Sequence, residues 1–86
     1  MRKYFAHIVD GNEEQNRPTG DTISREEPFP VNKGEEMDVE YLDPDNGESY
    51  TIRLLGLGYK DFEDEEEYRD KIYDTIKDKL AEVKDN

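Results

Sequence analysis

The chain has 86 residues and a mass of 10.1 kDa, room for one small domain. Its 24 acidic and 12 basic side chains give a formal charge of -12 and a pI near 4.4. That sign argues against direct binding to nucleic acid or an anionic membrane, because phosphate recruits Lys and Arg. There is no Cys, which excludes disulfides, thiolate nucleophiles and Cys-ligated metal centres.

Leu, Ile, Val and Phe make up 17 of the 86 residues, a share at the border of disorder. Six Tyr and three Phe, set in regular patterns, argue instead for a folded domain. The start, Met1 to His7, has too short an apolar stretch for a signal peptide, which predicts a cytoplasmic protein. A single domain over 1–86 is expected.

Tyr4 to Val9 reads as a strand with both faces largely apolar, hence central or covered, and Asp10-Gly11-Asn12 stops it. From 11 to 27 the composition is polar, with Ile23 the only aliphatic, so a long polar loop is expected. Pro28-Phe29-Pro30-Val31 is extended, since proline disfavours helix in the residue before it. Asn32-Lys33-Gly34 makes a turn. Met37, Val39 and Tyr41 alternate with Asp38, Glu40 and Leu42, and Tyr50, Ile52 and Leu54 with Thr51, Arg53 and Leu55 after the Asp43-Pro44-Asp45-Asn46-Gly47 turn, which predicts a hairpin. Gly56-Leu57-Gly58 is expected to break the second strand.

A helix over 61–84 follows, with an apolar stripe of Tyr68, Ile72, Ile76, Leu80 and Val83 and with Tyr73 at its margin. Asp61 or Asp64 is placed to cap it, and the acids after the cap suit the positive end of the helix dipole. The expected fold class is α+β. A small antiparallel sheet of about four strands, curled or partly closed like an SH3 barrel, carries one C-terminal amphipathic helix.

Phe29-Pro30-Val31-Asn32-Lys33-Gly34-Glu35-Glu36-Met37-Asp38-Val39 resembles the diverging turn and following strand of SH3-like barrels. The resemblance implies a shape. Trp and the ligand-groove motifs of that family are missing, so proline-rich peptide binding is not implied.

The most concentrated feature is 61–70, where seven acids and one base hold half of the net charge. One reading is a solvated helix start whose acids favour the dipole. The other is an array of carboxylates standing in for phosphates before a basic protein groove, with Phe62, Tyr68 and Tyr73 interleaved as anchors. Phe62-Glu63-Asp64-Glu65-Glu66-Glu67-Tyr68 resembles the acidic helix start of phage-encoded type II anti-CRISPR proteins, small inhibitors of a CRISPR-guided nuclease. The long N-terminal helix of that family has no counterpart here.

Other chemistry finds little support. Asp43 to Glu48 has acids at calcium-loop spacing, but Gly comes fifth and Leu54 stands at position twelve, so a hairpin turn explains it better. Gly56-Leu57-Gly58-Tyr59-Lys60 lacks the spacing of a phosphate loop and precedes acids that would repel phosphate. No motif links Ser24, Ser49 and His7 into a catalytic set.

The sequence therefore predicts a non-enzymatic acidic interaction module that needs no cofactor or metal. It would dock on a basic protein surface, such as that of a nucleic-acid-binding protein, as an inhibitor mimicking nucleic-acid charge. The partner-binding residues are Phe62, Glu63, Asp64, Glu65, Glu66, Glu67, Tyr68 and Asp70. The alternative is a small barrel adaptor that binds a protein through the 11–27 loop and the sheet face, its acidity serving only solubility. A third reading, adaptation to high salt, fits poorly with seven Lys against five Arg and only two Ala.

Overall fold

The computed structural model describes residues 1–84, and the structural statements below concern these residues. Four strands, β1 (Arg2–Asp10), β2 (Thr22–Arg25), β3 (Glu36–Leu42) and β4 (Ser49–Asp61), precede one helix, α1 (Glu65–Lys84). They form one antiparallel sheet in the order β2-β1-β4-β3. The fold is α+β and the sheet is open, with β2 and β3 at its two edges. β1, apolar on both faces in the sequence, lies inside the sheet between β2 and β4.

Alternation along the strands produces two cores, one on each face. Ala6, Ile8, Ile52 and Leu54 are buried on one face, where Ile23, Phe29, Val31, Val39, Tyr41 and Tyr50 pack over them. Phe5, Leu57 and Phe62 are buried on the other, beneath Tyr68, Ile72, Ile76, Leu80 and Val83. All five residues of the expected helical stripe thus face the sheet.

The expected hairpin forms, with Met37 opposite Leu54, Val39 opposite Ile52 and Tyr41 opposite Tyr50. Its turn is built by the predicted residues. The Asp43 N–H bonds to the Glu48 carbonyl at 2.8 Å, the Asp43 and Asn46 side chains accept from Asp45 and Glu48 N–H groups at 2.8 Å each, and Gly47 has φ 73.

Two expectations are corrected. The 11–27 loop is interrupted by ordered structure: a 3-10 turn at Glu13–Gln15, an Asn12–Arg17 bridge, and the edge strand β2. β2 carries one aliphatic residue, so alternation could not announce it, and the backbone ladder to β1 holds it. Gly56-Leu57-Gly58 does not end its strand. β4 continues to Asp61, and the glycines accommodate an irregularity in which Phe5 faces Gly58 and Ala6 faces Gly56, leaving Leu57 as the extra residue. The helix accordingly starts at Glu65, while Asp61 closes β4 in an ion pair with Arg2 at 2.7 Å.

Candidate functional site

The 62–70 segment is where β4 gives way to α1. Phe62 is pinned by its backbone. Its N–H donates to the Met1 carbonyl at 2.7 Å, and its own carbonyl accepts from the Met1 ammonium group. Its ring is 3% exposed and meets the Tyr68 ring edge-on, with centroids 5.3 Å apart. Tyr68 is also held from three sides: by Phe62, by Lys3 Nζ 4.5 Å above its ring, and by a hydroxyl hydrogen bond to Ser24 Oγ on β2. Both aromatics fasten the helix start to the sheet, so neither side chain is offered outward.

The carboxylates divide into three uses. Asp64 Oδ1 accepts the Glu67 N–H at 2.9 Å and caps the helix. Glu65 and Glu67 lie 4.0 and 3.9 Å from Arg69 and Lys71, one turn on. Glu63, Glu66 and Asp70 are exposed and form no ion pair among the described residues. Positions 66, 70, 73 and 74 share one side of the helix, and there Tyr73 stands 78% exposed between Asp70 and Asp74. Of the three interleaved aromatics only Tyr73 faces solvent. Its place one residue beyond the Tyr68-Ile72-Ile76-Leu80 stripe is the sequence signal for it.

The opposite face of the sheet holds a cleft of about 330 Å³ lined by Arg17, Ile23, Ser24, Arg25, Phe29 and Tyr41. Its walls come from both edge strands, β2 and β3, closed by Phe29 from the connecting segment. A second cleft of about 530 Å³, beside the C-terminal half of α1, contains Lys33 and Lys79. Those two ammonium groups share Glu82, at 3.0 and 3.5 Å, and hold its carboxyl below the usual carboxylate range, Lys33 by hydrogen bonding and Lys79 by charge. Arg2 in the same way lowers the Asp61 carboxyl through their hydrogen bond.

His7, on β1, is partly buried and bonds Thr22 Oγ1 through Nδ1 at 3.1 Å. Burial and the charge of Lys84 lower its pKa against the opposing pull of Asp21. Neither Ser24 nor Ser49 is hydrogen-bonded to it. Among the described residues no cluster of three His, Asp or Glu has a metal-holding arrangement, and no helix is long and apolar enough to cross a membrane. Comparison with known proteins finds no matching family model, curated protein or solved structure.

Proposed function

We propose that the protein is a non-enzymatic acidic interaction module that acts in the cytoplasm. It docks on a basic groove of a nucleic-acid-handling protein and blocks that groove by mimicking nucleic-acid charge. The observation that carries this reading is Tyr73, 78% exposed on the side of α1 that also bears Glu66, Asp70 and Asp74. An exposed Tyr gives a partner apolar contact area at small entropic cost, and aromatic anchors ringed by polar groups concentrate binding energy. The unpaired carboxylates around it supply long-range attraction to a basic surface and hence a fast on-rate. Phe62 and Tyr68 serve by fixing the helix on the sheet, so the contact surface comprises Glu63, Glu65, Glu66, Glu67, Asp70 and Tyr73, with Asp64 holding the first turn in shape.

The test is affinity capture from lysate at low and moderate salt, with the retained proteins identified by mass spectrometry. A basic nucleic-acid-binding protein should be retained, and released by salt and by competing DNA. The double charge reversal Glu66→Lys with Asp70→Lys, and separately Tyr73→Ala, should each abolish retention. Retention that survives salt, DNA and both variants would sink the reading.

A further inference from the structure

We propose that the cleft between the two sheet edges is a binding site for a small amphipathic anion, a carboxylate attached to a compact aromatic body. This goes beyond the acidic helix surface, which lies on the other face of the sheet and uses none of the same residues.

Charge bookkeeping singles the cleft out. Among the described residues, Arg2, Arg53 and Arg69 each pair with a carboxylate. Arg17 and Arg25 pair with none, although acids outnumber bases two to one in the chain. Both line this cleft. In the second cleft Lys33 and Lys79 share the one carboxylate of Glu82, which leaves a single positive charge there against two in the first.

Both guanidinium groups are also held in place. Arg25 donates from Nε to the Glu27 carbonyl at 3.1 Å and from Nη2 to the Pro28 carbonyl at 2.8 Å, and its Cζ lies 4.1 Å over the Phe29 ring. Arg17 is carried by the Asn12–Arg17 bridge, whose two backbone hydrogen bonds are 2.8 and 3.0 Å long. Arg17 Nη1 donates to the Asn16 carbonyl at 3.1 Å, while its Nε is buried without a hydrogen-bond partner among the described residues. A buried donor left unpaired costs free energy, and an acceptor that reaches Nε itself would offset that cost. With five N–H donors per guanidinium, each arginine keeps capacity for a carboxylate.

The remaining walls set the rest of the ligand. Ile23, Phe29 and Tyr41 are apolar or aromatic, and about 330 Å³ is at the small end of ligand cavities. A bare inorganic anion leaves those walls unsatisfied, and a neutral aromatic leaves the arginines unused. An aryl carboxylate answers both.

The probe is 3-phenylpropionate, titrated into the isotope-labelled full chain and followed by amide chemical shifts, with 3-phenylpropanol and inorganic phosphate as controls at matched ionic strength. Shifts should saturate and be confined to residues around 17, 23–25, 29 and 41. The acid should bind at least about ten-fold more tightly than the alcohol or phosphate, as expected for a charge-assisted pair. Arg17→Gln should remove that preference while leaving binding of the alcohol unchanged, and Arg17→Lys should restore part of it. Arg17 contributes only one side-chain hydrogen bond to the fold, and the amide spectrum reports whether each variant is folded. Absence of saturation at about 10 mM, well beyond ordinary weak binding, overturns the proposal. So does equal binding of the alcohol or of phosphate, or an Arg17→Gln chain that still prefers the acid.

Discussion

Asp64 Oδ1 accepts the backbone N–H of Glu67 at 2.9 Å, so one carboxylate of the acidic run is consumed by the helix it precedes. The capped helix in turn holds the other acids in place. Stability and binding in this segment should therefore separate by residue. Asp64→Ala removes the cap and is expected to cost about 1 kcal/mol, lowering the midpoint by about 4–8 °C for a domain of this size. Glu66→Ala removes an exposed side chain with no ion pair and should change stability by less than about 0.5 kcal/mol. Thermal and urea unfolding of the two variants checks this. Equal losses would mean that the cap is not what Asp64 contributes.

Phe62 joins the two layers, since its ring is buried against Phe5 and Leu57 of the sheet and meets Tyr68 of the helix. Phe62→Ala leaves a cavity at that junction and is expected to cost about 3–5 kcal/mol. Against a total stability of about 5–15 kcal/mol that is a large share, and it should loosen α1. Amide hydrogen exchange would show loss of protection along the Tyr68-Ile72-Ile76-Leu80 stripe. Protection retained at wild-type level would show that the helix is held by other contacts.

At Gly56 the chain passes close to itself. A Cβ there would lie 2.3 Å from the Asn32 carbonyl oxygen, a backbone atom that is itself fixed by neighbouring turn hydrogen bonds. Gly56→Ala must push the 31–35 turn off the strand, breaking the Gly34-to-Gly56 and Gly56-to-Glu35 bonds of 2.9 Å each. A cost of about 3 kcal/mol is expected, the upper end for overpacking. A urea midpoint like that of the wild type would show that the turn can move freely.

These three sites also show what the sequence made legible. The hairpin and α1 could be read because each buries one face, and burial on one face forces a period of 2 or 3.6. β2 could not, because Thr22-Ile23-Ser24-Arg25 is an edge strand with little to bury, tied to β1 by its backbone. Gly56 and Gly58 carry the usual sign of a strand end, but inside β4 they serve a close approach and a positive φ of 81. Only their neighbours in space distinguish the two uses. The carboxylate run was plain in the composition, whereas the inward turn of Phe62 and Tyr68 depends on where the sheet lies. Arg17 and Arg25 are eight residues apart within a polar stretch, and nothing local says that β2 and the Asn12–Arg17 bridge bring them to one cleft.

Stability should also depend on pH through His7. His7 on β1 faces Thr22 and the charges of Lys84 and Asp21, and burial followed by Lys84 lowers its pKa below the usual 6.5. The unfolded chain therefore binds a proton at His7 at a higher pH than the folded chain does. Between the folded value and about 6.5 the unfolded state holds more protons, so stability rises with pH across that window and levels off above it. Carboxylates held low by their partners, Asp61 by Arg2 and Glu82 by Lys33, act in a more acidic window, where their contribution is lost as pH falls below the normal carboxylate range. Loss of net negative charge on acidification opposes both trends by relieving self-repulsion, and a substitution at His7 leaves that effect almost unaltered. The difference between the wild type and His7→Gln isolates the histidine. Urea unfolding measured from pH 5 to 8 should show the wild type gaining stability relative to the variant as pH approaches 6.5, and a constant offset above it. A difference that does not vary with pH would mean that His7 titrates alike in both states and that the packing of Lys84 and Thr22 around it leaves its protonation untouched.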